Sequence, residues 1–394
     1  MSMIPVSELN LRVGDRLDFP VCDRSGQMLL QKGKVVGSSS VLARLQERGF
    51  MRIGEDVAPP RKGDAELAIE AAEGPAAAAK TAQGKLLILA EHLARVMKRI
   101  VNPTPGAVSA DVRTLAGWAN GIYLRDPDQL IGIQQMIGAG EESIEGAALH
   151  GAILVRLIAA AEGLTAEAQI SLMCAALTRH VALAGEEGGR RVREVGIESA
   201  NLLRQCEVTD PVWLNAVAHH QARLDGTGLP AGLSPEQISM GARILGVVDA
   251  YVEATRPGAD TSAKQPREAL KAMYAGEASR LEPKIITALI RQLGIYPPGS
   301  VLRLASGEIA VSTRRTGDAK RPIVRAAIAV DGLPYAAPPL RDTQIANTRI
   351  LEVLDIAKYR GLISMAPGLW RRDLDLIEEV ESTAVDVETA VSSA

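Results

Sequence analysis

The sequence predicts a mainly α protein, with a helical core domain between a small β-rich N-terminal module and a small β-rich C-terminal cap. Three observations carry this. Apolar residues recur at helical spacing from Lys85 to about Gly294. The period switches to strand-like alternation after Gly299. Before residue 55, short apolar runs flank a Ser25-Gly26 turn. Aromatic residues make up only 3% of a chain that is 47% hydrophobic, so Leu, Ile, Val and Ala must fill the core.

Residues 1–55 form the first expected unit. Phe19 to Leu30 reads as two strands about the Ser-Gly turn, and Val41 to Arg48 as a short helix with Ser38-Ser39-Ser40 before it. Residues 56–84 are rich in Ala, Gly, Pro and charge and read as a linker. The helical domain spans 85–294. Leu86, Leu87, Leu89, Leu93 and Val96 make its first stripe. Further helices are expected at 111–123, 129–138, 144–163, 166–183, 191–205, 211–222, 235–254, 265–275 and 282–294. Strands are expected at 300–304, 308–312 and 323–330 within a C-terminal extension, 295–360, with Gly307 and Gly317-Asp318 in the turns. Residues 361–394 read as an acidic tail.

The net charge of -3 gives no electrostatic case for broad nucleic-acid or membrane binding. Cys22, Cys174 and Cys206 are odd in number and widely spaced, which fits a reducing cytoplasm better than a disulfide frame. The first nine residues lack a basic start and an apolar run, so no signal peptide is expected. No window approaches 18 unbroken apolar residues, and no membrane span is expected.

The most informative stretch is His219-His220-Gln221-Ala222-Arg223-Leu224-Asp225-Gly226-Thr227-Gly228-Leu229-Pro230, followed by Gly241 to Asp249. Histidine and carboxylate together hold Fe, Mn or Zn. The pattern resembles the signature of the HD-GYP family, bacterial phosphodiesterases that hydrolyse cyclic di-GMP: HHE, then DG-x-GYP, then AR-I-x-x-V-x-D. Arg256-Pro257 resembles the start of the family's RPYR segment. Leu293 to Leu304 is similar to its GIYP-x-G-S-x-V-x-L stretch, and Val6-Ser7-Glu8-Leu9 through Arg52-Ile53 to a module often placed before such domains. The resemblance implies a helical HD-type core.

The departures from that pattern are specific. Where the family has AALLHDIGK, this chain reads Ala175-Ala176-Leu177-Thr178-Arg179-His180-Val181-Ala182-Leu183. Arg179 stands in the place of the metal-ligating His, His180 in that of the bridging Asp, and Leu183 in that of the Lys. Val195 replaces the next histidine. The upstream histidine falls near Ala147, with His150 one turn later. Leu229 replaces the Tyr of GYP, and Gln221 the Glu of HHE. The resemblance therefore leaves His219, His220 and Asp249 as metal ligands, with His180 as an addition.

Phosphodiester hydrolysis of this kind uses metals about 3.5–4 Å apart that activate a water and clamp the phosphate. A cationic Arg179 where a cation should bind costs on the order of 4 kcal/mol at 4 Å and an effective dielectric of about 20. A buried Asp249 needs a cationic partner, and Arg179 is the expected one. His180 is expected to be packed rather than ligating, and His150 and His92 to be structural. Adjacent helical positions are turned about 100° from one another, so His219 and His220 cannot chelate as an i, i+4 pair. The Asp225–Pro230 loop is a good turn in any protein, and Arg190-Arg191-Val192-Arg193 reads as a solvated helix start.

Three readings remain open. The first is an impaired HD-GYP-like protein that signals through partners such as diguanylate cyclase or receiver domains, with cyclic di-GMP bound through Arg179, Arg223, Asp225 and Arg256. The second is a phosphodiesterase with a reduced metal site. The third is a structural domain without ligand. The cofactor is one divalent metal (Fe, Mn or Zn) or none.

Overall fold

A computed structural model describes residues 3–5, 21–22, 28–30, 42, 45, 50–52, 81–102, 108–139, 143–184, 194–257, 262–276 and 280–370. The Ser25-Gly26 turn, most of the 41–48 helix and of the 56–84 linker, the Arg190–Arg193 cluster and the tail beyond Trp370 lie outside these residues. The chain divides into two compact units, Met1–Ala68 with Arg371–Ala394, and Ile69–Trp370.

In the first unit, β1 (Met3–Pro5), β2 (Val21–Cys22), β3 (Met28–Leu30) and β4 (Phe50–Arg52) form an antiparallel sheet in the order β1-β4-β2-β3. The β2–β3 pairing is the one expected from the Ser-Gly turn, with Val21 opposite Leu30.

The second unit is mainly α. Its helices are α1 (Ala82–Val101), α2 (Val108–Arg125), α3 (Pro127–Gly138), α4 (Ile144–Ala161), α5 (Ala166–Thr178), α6 (Val195–Gln205), α7 (Pro211–His219), α8 (Met240–Thr255), α9 (Pro266–Gly276) and α10 (Pro283–Leu293). Their starts follow from local chemistry. Thr81, Asp126, Ser143, Thr165, Asp210 and Ser239 each cap a first turn by accepting a backbone N–H. Pro127, Pro211 and Pro283 occupy first-turn positions where no N–H is needed. Gly294 ends α10 at φ 77°, a conformation that favours glycine.

Helix α4 is the centre of the core. Leu149, Ala152, Ile153, Leu154, Val155 and Ile158 are all buried, and α5 packs along it. By length and composition α4 could cross a membrane, but most of it is buried inside this unit, so its apolar surface is spent on packing.

Three sequence-derived helices end differently. The expected 166–183 helix stops at Thr178, and a 3-10 turn follows at Val181–Leu183. The 211–222 helix stops at His219. The 235–254 segment is a 3-10 turn, Pro235–Gln237, and then α8 capped by Ser239. Each break falls beside the site described below, and periodicity alone cannot see it.

The C-terminal strands β5 (Val301–Leu304), β6 (Ile309–Arg314), β7 (Ile323–Ile328), β8 (Leu340–Asp342) and β9 (Ile350–Leu354) form an antiparallel sheet in the order β8-β7-β6-β5-β9. Arg314 and Arg315, at the end of its central strand β6, pair with Asp126 and Asp128 at the start of α3. The boundary of the expected tail at 361 needs correction. A 3-10 segment, Ile356–Met365, and a last turn, Ala366–Leu369, carry Leu362, Ala366, Leu369 and Trp370 into the core. The Trp370 indole donates to Thr313 O at 2.9 Å. Its ring lies so close to Gly132 that a Cβ there would sit 2.1 Å away. The acidic composition further on had concealed this apolar anchor.

Candidate functional site

The site is assembled where α5, α7 and α8 end or cross. Helix α5 stops at Thr178, whose hydroxyl bonds back to Cys174 O and also accepts the buried Trp213 indole N–H of α7, at 2.8 Å each. The chain then turns, and Arg179 and His180 project toward α8. Ser199 on α6 fixes the turn by accepting the Ala182 N–H at 3.1 Å.

Arg179 is 1% exposed. Its Nε donates to Asp249 Oδ1 at 2.5 Å, and its other nitrogens donate to Ala176 O at 2.7 Å and Ala147 O at 3.3 Å. The expected Arg179–Asp249 pair is therefore formed. The charge-assisted bond replaces the solvation that both ions lose on burial.

The second oxygen of Asp249 faces elsewhere. Oδ2 lies 3.4 Å from His180 Nε2 and 3.7 Å from His220 Nε2, and the two Nε2 atoms are 3.4 Å apart. His220 Nδ1 is 2.8 Å from Val217 O. A carbonyl can only accept, so Nδ1 carries the proton and Nε2 presents its lone pair to the cluster. Gly196 at the start of α6 makes this placement feasible. A Cβ there would meet Val217 O at 2.7 Å and the His220 ring at 3.2 Å.

The electrostatics follow from burial. Burial pushes His220 down to about 4, with Asp249 opposing the shift. Burial alone would raise the Asp249 carboxyl, but His180 and Arg179 outweigh it and hold the group well below the usual carboxylate range. Glu253, one turn further along α8, feels the Asp249 charge first. That charge, with partial desolvation, raises its carboxyl, while His180, Arg179 and Arg223 act the other way.

Several sequence-derived assignments need correction. His219 does not join the cluster. Its Nδ1 faces Asn215 Nδ2 at 3.2 Å, because one residue of helix turns it about 100° from His220. His180, read as a packed residue with ligation as the alternative, takes its place: the described donor atoms within 4.8 Å of one another belong to His180, His220 and Asp249.

The proposed ligand-binding set also changes. Every Arg179 nitrogen is committed inside the protein, so none can reach a nucleotide. Arg256 is 6% exposed, with its guanidinium in the space that Gly138 and Gly146 leave. The Asp225 carboxylate accepts the Thr227 N–H and hydroxyl at 2.9 and 2.6 Å and holds its own turn. Arg223 is half-buried, donates to Ala222 O and acts electrostatically on Glu253. With Arg179, it is the member of that set whose charge still acts on an acidic group of α8. Glu253 was missed altogether, although its i+4 spacing from Asp249 was readable.

The donor set can be tested against the metals the motif implies. Tetrahedral metal–nitrogen and metal–oxygen bonds of about 2.0–2.2 Å put neighbouring ligand atoms about 3.3–3.6 Å apart. The two 3.4 Å sides of the triangle match that spacing, the 3.7 Å side is slightly longer, and all three exceed the 2.7–3.2 Å of ordinary hydrogen bonds. The residues fit one ion. They do not fit two, because Arg179 holds Oδ1 and Val195, buried at the start of α6, offers no donor.

His150 is structural, as expected, but costly. It is 1% exposed, lies edge-on to Tyr251 at 6.3 Å, and neither ring nitrogen has a hydrogen-bond partner. Burial, then Arg256 and Arg179, push it down to about 3. A histidine depressed in the folded state is protonated first in the unfolded state, so stability falls as pH drops from about 6.5 toward 3. We expect His150→Leu to flatten that acid limb by up to about 1.4 kcal/mol per pH unit. Urea titrations at pH 7, 5 and 4 check this, and an unchanged pH slope would show that His150 does not set it.

Comparison with known proteins agrees with the motif. A family model described as HD domain matches residues 142–285, which span α4 to α10. The cyclic di-GMP phosphodiesterase PA4108 of Pseudomonas aeruginosa is 33% identical over 126 residues. Over this HD domain the chain is similar to an HD-GYP-type cyclic di-GMP phosphodiesterase. The match covers 32% of this chain and 30% of PA4108, so the chain spans under a third of the length of that relative. Among solved structures, an HD-GYP-type protein of Bdellovibrio bacteriovorus, Bd1817, is similar with a TM-score of 0.45 and 16% identity. That match covers 73% of this chain and 97% of the other.

Proposed function

We propose that this HD-GYP-like chain acts in cyclic di-GMP signalling with its hydrolytic centre impaired, working through nucleotide or partner binding. The observation that carries the reading is the buried Arg179 Nε on Asp249 Oδ1 at 2.5 Å. A tethered guanidinium fills the place of a mobile metal. Two-metal hydrolysis depends on ions that hold both the attacking and the leaving oxygen, and this set of residues supports one ion at most. Such an ion, when bound, would supply Lewis-acid charge to one phosphate oxygen. Around it, Asp249 and the two imidazoles hold the ion's position, and Arg223 offers a cation to a phosphate.

In this reading the helical domain, 85–294, carries the signal to partners. Diguanylate cyclase or receiver domains are the expected class, docking at the Asp225–Pro230 loop, where Leu229 gives an apolar contact. The N-terminal module (1–55), the linker (56–84) and the C-terminal extension (295–360) are the accompanying parts.

The test is direct. The purified chain, supplied with Mn²⁺ or Fe²⁺, is incubated with cyclic di-GMP while linear dinucleotide and GMP are followed. Turnover is expected to be negligible beside an intact family member, while calorimetry reports whether the nucleotide binds. Brisk metal-dependent hydrolysis by the unaltered chain would overturn the reading. The second reading, a phosphodiesterase with a reduced metal site, is favoured by the spacing of the His180, His220 and Asp249 donors.

A further inference from the structure

We propose that a second cavity, between the helical body and the C-terminal sheet, binds a small polar anion: a phosphate or carboxylate head on a hydroxyl-bearing body. None of His180, His220 and Asp249 lines this cavity, so it is separate from the cluster those residues form. The inference goes beyond the proposed function and depends on neither the nucleotide nor the metal invoked there.

The cavity measures about 710 Å³, within the roughly 300–1,000 Å³ usual for small-molecule sites. It exists because the sheet comes close to α3 at one point and leaves it at the next. Gly299, at φ 90°, makes the approach: a Cβ there would sit 2.5 Å from Gly132 O and 3.1 Å from Gln135 Cβ. Beyond it, β5 and β9 set Val301 opposite Leu354 and Arg303 opposite Glu352, and these cross-strand pairs line the cavity. Lys264 and Gln265, from the connection between α8 and α9, line it as well. So do Lys358 and Tyr359, which follow β9.

Gln135 is the residue that points to a ligand. It is 3% exposed and lines the cavity. Its Oε1 accepts the buried Tyr251 O–H at 2.9 Å, which fixes the amide and turns its two N–H groups away from Tyr251. Among the described residues those N–H groups have no acceptor. They are not sealed in the core as the His150 nitrogens are, so the cavity is where their partner must stand. Buried amide donors are ordinarily paired.

The other free groups are donors too. Lys264 and Lys358 form no ion pair among the described residues. The remaining charges are already engaged. Arg303 Nε donates to Glu352 at 3.3 Å. Asp355 accepts the Gln265 amide at 3.2 Å and caps the turn after β9 through the Ala357 N–H at 3.0 Å. Helix α9 begins at Pro266, so the positive end of its dipole falls on the same side as Lys264. Glu268 and the carbonyl end of α3 at Ala139 oppose these cations. That opposition selects the ligand. An acidic head satisfies the lysines and the Gln135 amide through charge-assisted bonds, and hydroxyls on the body donate to Glu268 and the α3 carbonyls. A bare anion would satisfy only the first set.

Calorimetry on the full chain tests this, with ribose 5-phosphate and gluconate as probes and inorganic phosphate beside them. We expect one site per chain, with at least one of the two sugar acids bound about tenfold or more tighter than inorganic phosphate. Ribose 5-phosphate alone would assign a phosphate head, gluconate alone a carboxylate, and both the shared chemistry. Lys264 and Lys358 are exposed, so removing either side chain leaves the fold intact. Lys264→Ala and Lys358→Ala should each weaken binding by about tenfold, the value of one hydrogen bond from a charged group. Ser262→Trp, which puts bulk into the cavity, should abolish it. His180→Gln should bind as the unaltered chain does. The site is overturned if neither sugar acid binds in the millimolar range, if inorganic phosphate binds as well as both, or if the two lysine variants keep full affinity. An equal loss in His180→Gln would also overturn it, by moving the binding to the His180 cluster. None of these results bears on whether the chain hydrolyses cyclic di-GMP, so the two readings stand or fall separately.

Discussion

Replacing Arg179 with methionine is expected to lower the free energy of unfolding by about 3–5 kcal/mol, the usual consequence of removing one partner from a buried ion pair. Asp249 lies almost wholly inside the protein at 5% exposure, and its Oδ1 receives its charge-assisted bond from Arg179 Nε at 2.5 Å. Methionine fills much of the volume but donates nothing. Ala176 O and Ala147 O also lose the donors they now receive. Urea denaturation at pH 7 measures the loss. The companion variant separates charge from packing. Arg179→Met combined with Asp249→Leu should recover most of the stability, since a buried pair replaced whole by apolar residues is often neutral. A loss below about 1 kcal/mol in the single variant would mean that Asp249 is neutralised by something else. An added divalent ion should restore part of the single variant's stability, because binding to the folded state alone stabilises it.

The helical body was legible in the sequence because each helix carries its own stripe and its own cap. Leu86, Leu87, Leu89, Leu93 and Val96 announced α1, and all but Leu87, which is 57% exposed, are buried. The pairing of Asp249 with Arg179 was legible too, since a carboxylate in an apolar run needs a cation and the motif placed one opposite. The identity of the histidine ligands was not legible. It depends on where α5 stops, and that point lies against α7, where the Trp213 indole donates to Thr178 from 35 residues away. Continued as a helix to 183, the chain would have sent His180 elsewhere. His219 failed for the opposite reason: the motif set it beside His220, but adjacent helical residues face different ways. Arg256 read as a ligand-binding arginine because the sequence does not show that Gly138 and Gly146 leave it an interior space. Glu253 was hidden by habit rather than physics, since its spacing from Asp249 was plain but no signature named it.

Rebuilding the missing pair, with Arg179→His and His180→Asp together, is expected to leave cyclic di-GMP hydrolysis within about tenfold of the unaltered chain, because residues that act as a unit lose nearly all their rate once one is gone. Val195 still stands, apolar and buried, where the motif has a further histidine, and Leu183 where it has a lysine. The double variant should nevertheless change its metal behaviour. Arg179 no longer neutralises Asp249, so the carboxylate needs an ion, and the new Asp at 180 can bridge two. The melting temperature should become dependent on Mn²⁺, and more than one ion per chain should be retained, even while turnover stays low. Adding Val195→His to the pair should then give the first clear gain in rate. Full turnover in the double variant alone would show that the arginine was the sole lesion, and that the rest of the centre is more intact than the positions at 183 and 195 imply. Thermal unfolding with and without metal, ion analysis and product formation, measured on the same three proteins, separate binding from chemistry.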